Sequence, residues 1–408
     1  MKILIIGNGA AAISAVEAIR RHDRGSGITM VSKETEPAYT PCFLSLYLSG
    51  EISKDRLYIR DSTFYDENNI ETIFGDTVVG IRNNSVMLSN GRELTFERLL
   101  IATGSNPVIP QLPGIEGDGV FSFKTISDAD SIISASKGVG EAAVIGAGFI
   151  GLEAAEALSK RGIRVTVIER EDRILPRMLD HEMAGIVRRH LEKNGVRIIT
   201  GKEIRSVQRK AGRLSGLDIE GETVPCGLLI VAAGVRPNLD MLADGLIKTG
   251  QGVLVNDRMM TNVPNIYAAG DIAEMESGGR RKINPIWFNA VKGGEIAGLN
   301  MIGLERRYDT PLVDMNVVTI FGLPVLSIGS QEGARVLKAH DARGIRKVYL
   351  GEDGALKGVQ LIGDTTKGGL YLSLINKGLP LKEDTGVLSP KFNYGVMFKT
   401  SGIRVITG

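Results

Sequence analysis

Cysteine is nearly absent: Cys42 and Cys226 are the only two in 408 residues. One pair of thiols makes no disulfide framework, and it falls short of the about four ligands an iron–sulfur cluster needs. A chain of this length buries enough apolar surface to fold without covalent staples. Histidine is also scarce, four in all, with no paired spacing for zinc, so no metal site is expected. Neither sign of charge dominates. The 49 Lys and Arg against 47 Asp and Glu leave a net +2, without the basic excess of a dedicated nucleic-acid binder. No apolar run approaches the about 18 residues of a membrane span. The opening run Ile3 to Ile6 stops at Gly7, too early for a signal peptide. These absences point to a soluble, cytoplasmic protein with no nucleic-acid partner and no membrane span.

What is abundant is glycine, 51 residues, well above the usual share of about 7%. There is no Gly-X-Y period, and the glycines fall at turns between apolar runs. Residues 3–20 read ILIIGNGAAAISAVEAIR and residues 142–159 read AAVIGAGFIGLEAAEALS. Each is a short β-like run, a glycine turn and an Ala-rich segment of helical period. Each is followed by a second apolar run, Ile28 to Val31 and Val165 to Ile168. Further on, Leu99 to Gly104 resembles Leu228 to Gly234. One strand–turn–helix–strand plan therefore occurs twice in the same order.

The chemistry of this unit is the seating of a dinucleotide. Gly7 and Gly146 allow a tight turn, Gly9 and Gly148 remove the Cβ that would block a pyrophosphate, and Ala12 and Gly151 let helix and strand pack closely. The helix start then offers unpaired N–H groups and a partial positive charge to the phosphates. The plainer alternative is two tight turns in a doubly wound sheet without ligand. In the second unit, Ile150 lies beside the turn and Glu169 ends the second strand, placed to accept from the adenosine ribose hydroxyls. A carboxylate there repels a 2′-phosphate and favours NADH over NADPH, a preference that Arg170 and Arg173 could soften. In the first unit Ser32 falls where Glu169 falls, with Glu34 two residues on. Glu34 is the ribose candidate, with Ser32 or a backbone group as alternatives. Asp271, after Ala269 and Gly270, reads as a helix-start residue, either a simple N-cap or an acceptor for a cofactor hydroxyl.

Gly7-x-Gly9-x-x-Ala12, Ala102-Thr103-Gly104, Gly146-x-Gly148-x-x-Gly151-x-Glu153, Gly234-x-Arg236-Pro237-Asn238 and Ala269-Gly270-Asp271 together resemble the FAD-dependent pyridine nucleotide-disulfide oxidoreductase superfamily. The segments Ala38 to Gly50, Ile59 to Tyr65 and Leu356 to Asp364 look most like NADH:rubredoxin reductases and the flavin domains of nitrite reductases. The resemblance implies an α/β fold with two Rossmann-like dinucleotide-binding domains of the glutathione-reductase kind and a small C-terminal α+β domain. FAD would be held by residues 1–110 and 245–310, and NAD(H) by an inserted domain, 111–244. Residues 311–408 would serve dimerisation or acceptor docking. Gly7, Gly9, Ala12, Ser32, Glu34, Ala102, Thr103, Gly104, Gly270, Asp271 and Trp287 would then face FAD. Gly146, Gly148, Ile150, Gly151, Glu153, Glu169 and Gly234 would serve NAD(H), with Glu153 also a candidate catalytic residue near the nicotinamide. Trp287 and Phe288 sit ahead of a helix rich in small residues, which by resemblance backs the flavin. Relatives carry a Lys where this chain has Leu46, paired with the equivalent of Glu153, so that pair is missing here.

Cys42 has two readings. Coenzyme A-disulfide reductases and NADH oxidases use one cysteine in about this loop, and a thiolate beside a flavin can cycle through a mixed disulfide or sulfenic acid. The sequence after Cys42 departs from that branch, and a free cysteine is commonly a small hydrophobe, so the other reading is a packing or flavin-lining residue. Cys226, ahead of a buried strand, reads as packing. Beyond residue 310, strands are expected at Val317–Phe321, Arg346–Leu350, Leu356–Ile362 and Arg404–Thr407, with a helix near Gly369–Asn376. The implied activity is NADH oxidoreduction through FAD, with electrons exchanged with an iron–sulfur or rubredoxin-like protein or a partner subunit, in a homodimer. The alternatives are an NADH oxidase or thiol-disulfide reductase working through Cys42, and a flavin-bearing subunit that does not turn over alone.

Overall fold

The structure is a computed structural model that describes residues 1–242, 245–381 and 386–393. The strand expected at Arg404–Thr407 lies outside the described residues. The chain forms two compact units. The first comprises Met1–Val108, Lys124–Asp130 and Gly234–Leu312; the second comprises Ile109–Phe123, Ser131–Ala233 and the chain from Val313 on.

In the first unit, the run Ile3 to Ile6 is apolar throughout because its strand is buried on both faces, as the middle of a parallel sheet requires. Strand Lys2–Ile6 pairs in parallel with Gly27–Ser32 on one side and Arg98–Ile101 on the other. Ile70–Phe74 and Ile266–Ala268 complete the two edges. Helix Ala10–Arg20 leaves the glycine turn and is buried along nearly its whole length. Helix Trp287–Met301 lies against it, and glycine sets the approach. A Cβ at Gly294 would stand 2.1 Å from the Ala11 carbonyl oxygen, and one at Gly298 2.6 Å from that of Ala15. The Ser14 hydroxyl donates to the Val291 carbonyl at 2.7 Å. Trp287 and Phe288, expected ahead of this helix, form its first turn. An antiparallel meander, Val78–Ile81, Ser85–Leu88 and Glu93–Thr95, joins the third and fourth strands of the parallel sheet.

The second unit repeats this plan. Its parallel sheet runs Arg197–Thr200, Arg164–Glu169, Glu141–Ile145, Leu228–Val231, Val120–Ser122. Helix Phe149–Lys160 follows the glycine turn, and a meander, Ile204–Lys210, Arg213–Ile219 and Glu222–Pro225, again precedes the fourth strand. The edge strand beyond the fourth differs. It comes from downstream in the first unit and from upstream, Val120–Ser122, in the second.

The C-terminal part of the second unit is an antiparallel sheet in the order Met315–Ile320, Leu323–Gly329, Leu356–Gly363, Gly344–Leu350, Arg335–Asp341. Helix Gly368–Lys377 covers it through Tyr371 and Leu374. Two strands here escaped the sequence reading. Arg335–Asp341 is an edge strand with mostly exposed side chains, so it lacks an apolar signature. Leu323–Gly329 carries Pro324 near its start, a residue that reads as a breaker. Among the described residues, no helix is long and apolar enough to cross a membrane.

Candidate dinucleotide sites

The two glycine turns are built alike. Gly7 has φ +114° and Gly146 φ +98°. A Cβ at Gly7 would lie 2.2 Å from the Ala102 carbonyl oxygen, and one at Gly146 2.4 Å from that of Ala232. In each unit the turn is thus pressed against the end of the fourth strand. Gly151 is equally constrained, since its Cβ would stand 2.0 Å from the Gly146 carbonyl oxygen, whereas the first unit accommodates Ala12 fully buried. Gly9 and Gly148 are different. A Cβ at either meets nothing within 4 Å, so both face open space at the start of a helix. Neither helix has a side-chain N-cap bond or an acidic residue in its first turn. Unpaired N–H groups and the positive end of the helix dipole therefore look into that space, an arrangement that fits a pyrophosphate.

Around the first turn, Asn8 ties the glycines to the next loop. Its amide donates to the Glu36 carbonyl at 3.2 Å and its oxygen accepts from the Tyr65 hydroxyl at 2.9 Å. Tyr65 in turn accepts from the Ala38 N–H at 2.9 Å. Ser32 is buried, its hydroxyl accepting from the Glu34 N–H at 3.2 Å. The Tyr39 hydroxyl donates to the Glu34 carboxylate at 2.6 Å. Desolvation holds that carboxyl above its ordinary range, against the opposing pull of the Tyr39 bond. Glu36 continues the network: it accepts from Lys54 at 2.8 Å and Tyr58 at 2.5 Å, while Tyr47 donates to Asp130 at 2.6 Å. Tyr47 follows Leu46 in the helix Leu44–Ser49, so this network fixes the loop that carries Cys42.

Asp271 does not start a helix. It lies in a turn that leads into strand Ala273–Ser277, which forms a hairpin with Arg280–Ile283. The reason is local. Gly278 and Gly279 both have positive φ, 63° and 75°, the two-residue turn that closes a hairpin. The Asp271 carboxylate accepts from the Ser105 hydroxyl at 2.7 Å, and Lys124 donates to the same hydroxyl at 3.0 Å while standing 3.8 Å from the carboxylate. Ser105 directly follows Ala102-Thr103-Gly104 and was within reach of the motif; Lys124 carries no spacing signal. Gly270 has φ +84°, and a Cβ there would lie 3.3 Å from that of Ala11, bringing this turn against the first helix. Strand Ser105–Pro107 pairs with Val235–Pro237, and the Asn238 N–H donates to the Gly104 carbonyl at 3.1 Å. The Gly104 and Gly234 motifs therefore meet. Trp287 is half-buried against the core of this unit.

In the second unit the Glu169 carboxylate folds back onto the glycine turn. It accepts from the Ala147 N–H at 2.7 Å and from the Glu171 N–H at 3.0 Å. Arg173 is committed elsewhere, donating to the carbonyls of Leu179 at 3.0 Å and Pro176 at 3.1 Å. Ile150 is half-buried beside the turn. Burial, with Glu156 adding to it, pushes the Glu153 carboxyl up to about 7. No cation among the described residues pairs with Glu153.

The two cysteines separate cleanly. Cys226 is 3% exposed, and burial pushes its thiol up to about 12. Cys42 is exposed, on the single turn Pro41–Phe43, with its N–H donating to the Thr40 hydroxyl at 3.3 Å. It is not a buried packing residue in this structure.

The sequence profile described as pyridine nucleotide-disulphide oxidoreductase matches residues 1–294. The chain is 33% identical to an NADH oxidase of Methanocaldococcus jannaschii over 342 residues, 81% of this chain and 76% of the relative. It is 31% identical over 383 residues to the epsilon subunit of the NADH-dependent phenylglyoxylate dehydrogenase of Aromatoleum evansii, 92% of this chain and 91% of the relative. Among solved structures, the NADH:rubredoxin oxidoreductase of Clostridium acetobutylicum superposes with a TM-score of 0.80 at 27% identity, covering 98% of this chain and 99% of that one.

Proposed function

The chain belongs to the pyridine nucleotide-disulphide oxidoreductase family, and on that premise we propose that it is an FAD-dependent oxidoreductase that passes electrons between NADH and a protein acceptor. The observation that carries this reading is the pair of glycine turns, each with its second glycine facing open space at an uncapped helix start. Gly7, Gly9 and Ala12 would hold the FAD pyrophosphate, Glu34 its adenosine ribose, and Asp271 with Ser105 and Lys124 the hydroxyls and charge further along. Gly146, Gly148 and Gly151 would hold NADH, with Glu169 on its ribose. A bound flavin takes up a hydride and can release electrons singly or in pairs.

The residues of the chain supply the selection and the proton balance. Glu169 would set a carboxylate against the 2′-phosphate of NADPH, and Arg173, spent on two carbonyls, would not offset it. Burial pushes the Glu153 carboxyl up to about 7, which would let it hold or release a proton near neutrality. The electrons leave for a protein. The Aromatoleum relative is by name a subunit of an NADH-dependent dehydrogenase, and the clostridial one by name acts on rubredoxin. The C-terminal sheet would serve docking or dimerisation, and a reducing cytoplasm suits two free thiols.

Anaerobic NADH added to the flavin-loaded protein should bleach the flavin's visible absorbance. Unchanged absorbance overturns this reading. The exposure of Cys42 supports a second one, an NADH oxidase or thiol-disulfide reductase. The Cys42→Ser variant decides between them: retained reduction of a protein acceptor excludes the thiol route.

A further inference from the structure

The segment that follows Glu169 is held from both sides. On one side, the Leu175 N–H donates to the Ala147 carbonyl at 2.8 Å, while the Ala147 N–H donates to Glu169. A single residue of the glycine turn thus joins the ribose acceptor to this segment. Leu175 is buried and has φ +49°, an unfavourable conformation that persists only where surrounding bonds over-determine it. On the other side, C-terminal residues bind three alternating positions, 176, 178 and 180. Gln331 donates to the Pro176 carbonyl at 3.2 Å and Ser327 to the Met178 carbonyl at 2.6 Å. Gln360 accepts from the Asp180 N–H at 3.3 Å. The Tyr349 hydroxyl donates to the Asp180 carboxylate at 2.7 Å, and Lys347 pairs with the same carboxylate.

Ser327, Tyr349 and Gln360 are all buried, so the Ser327–Met178 bond is shielded from water and the bonds to Asp180 are partly so, and each unmet partner would be costly. Asp180 is also the N-cap of helix His181–Lys193, accepting from the Met183 N–H at 3.0 Å. Burial opposes its charge, yet the bonds from Lys347, Met183 and Tyr349 keep its carboxyl below the usual range.

We propose that Ser327, Gln331, Lys347, Tyr349 and Gln360 are positioning residues for NADH: they pre-order the segment Asp172–Asp180 and, through Leu175 and Ala147, the glycine turn and Glu169. The proposal rests on the NADH reading of this unit. It gives the C-terminal sheet a task besides docking. Ordering a binding segment in advance removes a cost that the ligand would otherwise bear.

The test uses the flavin-loaded full chain and the variants Lys347→Met, Tyr349→Phe, Ser327→Ala and Lys347→Arg. NADH and NAD+ affinity are measured by calorimetry, steady-state rates with a saturating artificial acceptor, and amide hydrogen exchange over 174–179. Lys347→Met should weaken NAD+ and raise KM for NADH by about tenfold, the scale of one lost charge-assisted bond, with kcat and flavin content unchanged. Exchange over 174–179 should quicken, and Lys347→Arg should recover most of the affinity. The single-hydroxyl variants should show smaller shifts in the same direction, and they keep the test open if Lys347→Met does not fold. A lower thermal midpoint with wild-type NADH affinity overturns the proposal. Wild-type protein that takes up no NADH overturns the functional reading as well, which separates the two failures.

Discussion

A Cβ added at Gly151 would lie 2.0 Å from the Gly146 carbonyl oxygen, whereas one at Gly148 meets nothing within 4 Å. The two positions are glycine for opposite reasons, one for the packing of the fold and one for the approach of a ligand. Gly151→Ala should therefore cost about 1–3 kcal/mol of stability through overpacking, while Gly148→Val should unfold with the wild-type midpoint in denaturant titrations. Glu153 gives a second handle at this scale. Its carboxyl titrates near 7 in the fold against a free value of 4.5, so the neutral form is the one the fold favours. The stability it contributes is fully present below about 4.5 and is lost as pH rises through about 7. Thermal midpoints across that interval should fall more steeply for the wild type than for Glu153→Gln. Parallel curves would contradict this environment for Glu153.

Helices Ala10–Arg20 and Trp287–Met301 meet through Gly294 and Gly298. The small residues of the second helix were legible in the sequence, but resemblance linked them to the flavin, and the structure shows Gly294 and Gly298 spent on the backbone of the first helix. Gly294→Val should force the helices apart, lower the thermal midpoint and release flavin, while NADH affinity in the second unit is retained. Retention of flavin at the wild-type midpoint would contradict this packing role. The hairpin after Asp271 shows where element reading failed. Ala269-Gly270-Asp271 after a short apolar run reads as a helix start on its residues alone, whereas the stronger local signal is Gly278-Gly279 between two short runs. Arg335–Asp341 was missed for a different reason, because an exposed edge strand has no apolar face to announce it.

At the scale of the whole chain, the repeat was the legible feature. Two apolar strands with glycine turns and a later small-residue turn stand in the same order in both units, and they form the same parallel sheet order. Turn geometry is local and leaves its mark on neighbouring residues, so Gly7, Gly9, Gly146 and Gly148 could be read directly as turn residues. Lys124 beside Asp271, and Lys347 and Tyr349 on Asp180, are pairings across more than a hundred residues. They obey no period or spacing, and only the fold brings them together.

The central claim is that the two turns seat two different coenzymes. The most direct measurement is the visible flavin absorbance of the wild type, Gly9→Val and Gly148→Val during anaerobic addition of NADH. The account predicts a yellow wild type that bleaches, a Gly148→Val protein that is yellow but stays so at the same NADH concentration, and a Gly9→Val protein that holds no flavin. A colourless wild type that takes up no flavin, or Gly148→Val bleaching as readily as wild type, would contradict it.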